Sequence, residues 1–376
     1  MSPRYRLMIP GPTECPAYVL HEMAEPVLPH YESEWAQIYW EIVGDLQKVL
    51  GTRSNVFPIN GSGTLSFEIA MASLLAPGDR VLCLPNSFYG KAMGTASEGF
   101  GARVTFLDLP MFKPVAIDVV EKELRKDRYT LVVTAHHDTA SGFLNPLEEI
   151  GELCRRHDVP LLVDCVSSIG ALPIEMDAWG IDFACASVQK ALDCPAGIAV
   201  VGVSGKAWRK LDAVGPLHRG RYMNLRNWRT SAVEQRDLHP NLISIATNNM
   251  MGLRASLKRI LEEGLENRHR RMSRYGRMIR AGIRNLGLET FVDERYAPLL
   301  TRVVFPKDLS ASEARDHVRF RHGILVGAEF RIPHFGAGVN TESITILLLA
   351  IEDYLRSKGK DIRRGTCLQG LEEKDR

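Results

Sequence analysis

The chain has no C-x-x-C pair, no run of 18 apolar residues, no G-x-G-x-x-G and no G-x-x-x-x-G-K-[ST]. Each absence removes a class. The seven cysteines (15, 83, 154, 165, 185, 194 and 367) are scattered, which argues against a disulfide framework and against a zinc site. Cys83, Cys165 and Cys185 lie in apolar, strand-like runs and read as small buried hydrophobes, a pattern suited to a reducing compartment. Without a long apolar run, and with Met1-Ser2-Pro3-Arg4-Tyr5-Arg6 lacking an apolar leader core, the expectation is a cytoplasmic protein with no membrane segment. The missing glycine motifs disfavour nucleotide hydrolysis and a dinucleotide fold. A formal net charge of +2 is too small for a dedicated nucleic-acid binder. Arginine is locally dense between Arg254 and Arg284, and Arg268-His269-Arg270-Arg271 is expected to be a solvated helix face. There is no internal repeat and no low-complexity tract.

What is present is an ordinary globular composition, 45% hydrophobic and 24% charged, in 376 residues. That length suits one large and one smaller domain. Residues 1–15 read as an extended arm broken by Pro10-Gly11-Pro12, residues 16–250 as the large domain and residues 251–376 as a small C-terminal α+β domain. From Val56 to Asp164 short apolar runs alternate with amphipathic ones: strands at 56–59, 80–84, 103–107, 131–135 and 160–164, with helices between them. Repeated βα units predict an α/β fold with a mostly parallel sheet covered on both faces. After the apolar run at 197–202, one long helix is expected from about Met250 to Leu286. Strands at 299–305 and 324–326 and helices at 312–321 and 341–357 follow, and a frayed tail runs from Lys358.

In such a sheet, function collects at the carboxyl ends of the strands. Leu161-Leu162-Val163-Asp164 ends in an acid, and Lys190 follows Asp182–Gln189 in a second strand-and-turn of the same shape. An acid and a lysine on adjacent strand ends suit a pyridoxal 5'-phosphate enzyme, with the lysine forming a Schiff base and the carboxylate holding the pyridine nitrogen protonated. The other reading is a surface lysine and an acid with no joint role. Gly61-Ser62-Gly63-Thr64 follows a strand and opens a helix, so it can cradle a phosphate or be only a turn. Tyr89 at the next strand end can stack on a flat ring or be a loop tyrosine. His136-His137-Asp138-Thr139-Ala140-Ser141-Gly142 holds possible metal ligands, but no second His/Cys cluster supports a metal. Thr139 on a cofactor oxygen, with Asp138 organising the loop, is the better proposal. Arg331, inside the apolar Phe330-Arg331-Ile332-Pro333, either pairs with an internal acid or takes a substrate carboxylate.

These segments resemble the class V aminotransferases of the fold-type I pyridoxal-phosphate superfamily, in the alanine– and serine–glyoxylate branch. The resemblance runs from Pro10-Gly11-Pro12-Thr13 through Gly61-Ser62-Gly63-Thr64, Asp164–Gly170 and Ser187–Leu192 to Phe330-Arg331-Ile332. The His-His-Asp-Thr-x-Ser-Gly run is most similar to pyridoxamine–pyruvate aminotransferases, in which free pyridoxamine and pyridoxal are substrates. The resemblance implies a seven-stranded large domain and a homodimer with active sites at the subunit interface, where the segment around His239 lies near the partner's phosphate. It implies an amino transfer from an amine or amino acid to pyruvate or glyoxylate. Lys190 would be the Schiff-base lysine and proton shuttle, and Asp164 would pair with the ring nitrogen. Tyr89 would stack on the ring, and Thr139 and Gln189 would touch the cofactor's polar edge. Ser62, Gly63 and Thr64 would hold the phosphate, and Arg331, with Tyr31 on the substrate side, would bind the substrate.

The chain departs from the pattern in a shortened Leu325–Arg331 run, in Pro333 where relatives carry glycine, and in Asp237-Leu238-His239-Pro240-Asn241. No second substrate arginine upstream of Arg331 is apparent. Two rivals remain: a related lyase or desulfurase, for which Cys194 is the nearest candidate nucleophile, and a non-catalytic small-molecule binding protein.

Overall fold

The computed structural model describes residues 5–215, 219–293 and 297–371. Strand β1 (Arg6–Met8) is followed by helices α1 (Ala17–Ala24) and α2 (Glu32–Leu50). Strict alternation begins with β2 (Asn55–Gly61), α3 (Gly63–Leu74), β3 (Arg80–Cys83), α4 (Phe88–Gly99) and β4 (Arg103–Phe106). It continues through α5 (Ile117–Lys126), β5 (Leu131–Ala135), α6 (Leu147–Arg156) and β6 (Leu161–Asp164). Next come β7 (Phe183–Ser187), β8 (Gly197–Val203), α7 (Gly205–Val214), α8 (Leu225–Glu234), α9 (Thr247–Glu263) and α10 (Leu265–Asn285). The last part holds β9 (Glu289–Thr290), β10 (Leu300–Val304), α11 (Ala311–His322), β11 (Ile324–Val326), β12 (Arg331–Pro333) and α12 (Thr341–Ser357).

The central sheet has seven strands in the order β2-β8-β7-β6-β5-β3-β4, and only β8 runs against the rest. Its strands are apolar on both faces because both faces are covered. Val132, Leu161, Val163, Ala184 and Val200 face α2, α6 and α9. Their neighbours Val133, Leu162, Phe183, Cys185 and Val201 face α3, α7 and α8. This period of two is what a doubly covered sheet requires. A separate apolar body joins α10, α11 and α12 to β10, β11 and β12, and β1 pairs in parallel with β11 to enter it.

Two expectations change, and one unassigned stretch is filled. The long helix is two helices, because Gly264 (φ 81°, ψ 133°) leaves the helical region and α9 ends there. The stretch between β8 and residue 247, which the sequence reading leaves unassigned, holds two helices: Ser204 and Asn224 cap α7 and α8, which bury Trp208 and Trp228 among charged residues that mask the helical spacing. The tail does not fray before Leu371. Glu352 accepts the backbone N–H groups of Gly365 and Cys367, and Cys367 is fully buried. Among the described residues, no helix is long and apolar enough to cross a membrane.

Candidate active site

The six strands that share one direction release their loops at one edge, and the candidate residues stand there. β6 ends on Asp164, and β7, its parallel neighbour, leads three residues later to Lys190. Asp164 is buried and accepts the Val166 backbone N–H (2.8 Å). Burial pushes its carboxyl above the ordinary range, while the Val166 N–H and the Lys190 charge oppose that shift. Lys190 is 9% exposed. Burial pulls its amine below the usual lysine range, against the pull of Asp164 and Asp138. A buried amine of lowered basicity is a better nucleophile near neutral pH than a solvated lysine.

The two residues line a cavity of about 120 Å³ with Ser62, Gly63, Thr64, Tyr89 and Gln189. Ser62 begins α3 without capping it through its side chain, which leaves first-turn N–H groups for an anion. A Cβ on Gly63 would stand 2.8 Å from Val166 Cγ2 and 2.9 Å from Ser187 Oγ, so only glycine leaves this wall open. Ser187 Oγ is itself buried without a hydrogen-bond partner. An N-terminal cradle that a Cβ would close, an orphaned hydroxyl, an acid and an amine fit a phosphorylated pyridine aldehyde.

Tyr89 divides this cavity from a larger one of about 870 Å³, whose wall includes Phe88, Asp138, Thr139, Arg302, Glu329 and Arg331. Its ring centroid is 5.7 Å from Lys190 Nζ. Arg331 donates from Nη1 to the Thr139 carbonyl (2.6 Å) and from Nε to the Ala328 carbonyl (2.9 Å), which fixes the plane of its guanidinium at the wall. Thr139 thus stands with Arg331 in the outer cavity and not among the residues lining the inner one. Asp138 holds the loop that carries it, accepting from the Ser141 N–H (2.8 Å) and hydroxyl (2.6 Å).

Tyr31 is not brought to either cavity. It is 51% exposed at the start of α2, its ring centroid 5.5 Å from that of His30, which in turn lies 5.3 Å from that of His239. Cys194 is buried, and burial pushes its thiol well up, the wrong direction for a nucleophile.

Three residues with no role in the sequence reading border the turn at 190–193. The N-terminal arm crosses the lysine: Thr13 donates its hydroxyl to the Lys190 carbonyl (2.8 Å), and a Cβ on Gly11 would stand 3.0 Å from Lys190 Cγ. Arg268 is not on a solvated face. Only 5% of its side chain is exposed, and it donates to the carbonyls of Gly170 (2.8 Å) and Ala191 (2.5 Å) and to Asp193 (2.9 Å). Removing one partner of such a buried pair costs on the order of 3–5 kcal/mol. The signal was available: Arg268 shares a helical face with the buried Met272, Tyr275 and Ile279. A histidine–acid group hidden by spacing joins α11 to α12, where His317 and His322 both bond Asp353 Oδ2 (2.8 and 3.1 Å).

His136, His137 and His334 are buried, and burial disfavours their charged forms. His137 bonds Ser167 Oγ through Nδ1 (3.1 Å), and burial, with the Lys190 charge adding to it, takes it well below the usual range. Burial takes His136 and His334 to about 3. A histidine depressed in the fold contributes stability that is complete above its unfolded value, about 6.5, and is lost as pH falls toward the folded one. Each such group costs about 1.4 kcal/mol per pH unit in that window. The denaturation midpoint in urea should therefore fall from pH 7 to pH 5, with a shallower fall in His136→Phe; a flat or rising midpoint would contradict these burials.

The class-V aminotransferase family model matches residues 12–326. An uncharacterized aminotransferase of Methanocaldococcus jannaschii is 30% identical over 371 residues, covering 95% of this chain and 94% of that protein. The ureidoglycine–glyoxylate aminotransferase structure from Bacillus subtilis superposes with a TM-score of 0.93 at 27% identity, covering 99% of this chain and 98% of that one. The pyridoxamine–pyruvate aminotransferase structure from Mesorhizobium loti gives 0.91 at 26% identity, covering 99% and 97%.

Proposed function

The chain belongs to the class-V aminotransferases, and from that premise we propose that it moves an amino group from an amino-acid or amine donor to a small 2-oxo acid, pyruvate or glyoxylate, in two half-reactions. The observation that carries the reading is the pair of cavities sharing Tyr89: a cofactor-sized set of acid, amine and anion cradle beside a guanidinium. Pyridoxal 5'-phosphate is the family's cofactor; when bound, it supplies an aldehyde carrying the amino group and a ring that withdraws electrons from the donor's Cα–H bond. Ser62, Gly63 and Thr64 would hold the phosphate, Asp164 the ring nitrogen, Tyr89 the ring face and Gln189 the polar edge, while Thr139, in the outer cavity, would border the substrate beside Arg331.

Lys190 Nζ accepts the proton released at the donor carbon and returns it on the other side of the transfer. Burial favours its unprotonated form relative to a solvated lysine, the direction that work needs. Asp164 would keep charge at the ring nitrogen, and the bond from the Val166 N–H fixes its carboxylate. Arg331, immobilised by two backbone carbonyls, takes the substrate carboxylate. The buried, basic-shifted Cys194 thiol gives no support to a desulfurase. Free pyridoxamine as the donor is a second reading, favoured by the 136–142 run.

We also place the working enzyme in the cytoplasm as a homodimer. Its seven cysteines are unpaired, and Tyr31 with His30 and His239 forms a surface group that a partner's site can use. The division into a large domain, residues 16–250, and a small one, residues 251–376, is part of the same proposal. The test is a donor and acceptor screen. Parallel double-reciprocal lines are expected, and Arg331→Lys should raise KM for the 2-oxo acid by about tenfold or more while changing kcat less. An unchanged KM would remove Arg331 from the role.

A further inference from the structure

Arg302 lines the outer cavity and has no part in the transfer so far described. It lies on β10 directly opposite Arg331 on β12, in antiparallel register. Opposed residues in such a pair project to the same face of the sheet, so the two guanidinium groups address one space. Arg302 stacks on Phe291, its guanidinium carbon 4.1 Å from the ring centroid, and pairs with Glu329. Its side chain is 21% exposed; that of Glu329 is 63% exposed.

Glu329 reaches it from an unusual turn. Glu329 and Phe330 both take positive φ (54° and 55°), a conformation that non-glycine residues seldom adopt. The turn is pinned by Phe330, which is fully buried and packs against Phe305 with centroids 5.1 Å apart. The result is a carboxylate of the protein's own seated on a cavity arginine. It demonstrates that this guanidinium accepts a carboxylate, and its exposure makes the pair weak enough to exchange. A monocarboxylic substrate needs Arg331 alone. A second arginine, held flat on a ring and covered by a displaceable acid, is explained by a second carboxylate on the substrate.

We propose that Arg302 is a second carboxylate subsite, covered by Glu329 until a substrate arrives, and that one half-reaction uses a dicarboxylic amino acid or its 2-oxo acid. This rests on the aminotransferase reading of the Arg331 cavity. Calorimetric titration of the purified protein with succinate and with propionate tests it. Wild type should bind succinate at least about tenfold more tightly than propionate, as expected for one added bidentate charged contact. Arg302→Met should bring the two acids within about twofold while leaving propionate unchanged, and Glu329→Gln, which removes the competing carboxylate, should tighten succinate about threefold or more.

Equal binding of the two acids by wild type, or a preference that survives Arg302→Met, overturns the subsite. Should Arg302→Met not fold, Glu329→Gln decides alone, and unchanged succinate affinity there overturns it. Initial rates with alanine, aspartate and glutamate separate this proposal from the reading beneath it. Discrimination between the acids without transamination of any donor would leave the subsite and remove the aminotransferase. Transamination with no discrimination would do the reverse.

Discussion

Lys190→Ala is expected to abolish turnover while leaving a folded, cooperatively melting protein. The rate effect should be large, about a millionfold or down to the detection limit, because the same amine both carries the cofactor and moves the proton. The fold should survive. Burying an ammonium costs free energy that Asp164 and Asp138 only partly return, and alanine removes that cost together with the aliphatic stem beneath Gly11. The stem's loss leaves a small cavity, so the two effects oppose each other. Activity assays beside a thermal melt check the prediction. Sustained multiple turnover without an added amine would show that another group carries the chemistry, and a lost transition would show a structural role instead.

Asp164→Asn is expected to cost at least about a hundredfold in kcat with little change in stability. The side chain keeps its shape and its acceptor for the Val166 N–H, so geometry is preserved. What disappears is the negative charge that would keep the ring nitrogen protonated. Burial already raises the Asp164 carboxyl, which means the fold without cofactor tolerates the charge instead of gaining from it. The loss should therefore fall on kcat and on the cofactor's absorption, not on the melting temperature. A tenfold or smaller loss would leave Asp164 as a packing residue.

Much of this was legible from sequence, for a physical reason. The parallel sheet buries both faces, so its strands appear as apolar runs, and a polar residue ending such a run stands out. Asp164, Lys190 and the Ser62–Thr64 turn stand out that way, and the edge they share follows from strand direction. Residues that act across the chain left no such mark. Arg302 meets Arg331 only through the pairing of β10 with β12, and the acid that covers it depends on two left-handed residues. Arg268, like Arg280, is buried in a cluster whose other arginines lie nearer the surface, although its helical spacing from Met272 and Tyr275 betrays it. Gly11 reads as a helix breaker; its reason, the close approach to Lys190, appears only when the arm crosses the loop. Tyr31 lies away from both cavities, so a substrate role for it would require a second subunit.

The central claim is that Lys190 is the residue that carries the cofactor. Its most direct test is an absorbance spectrum of the purified protein with pyridoxal 5'-phosphate, followed by borohydride reduction and peptide mapping. The account predicts a band at roughly 400–430 nm that reduction abolishes, with the mass increment on the peptide containing Lys190 and none in Lys190→Ala. A protein that stays colourless and unlabelled, or a label on another lysine, would contradict it.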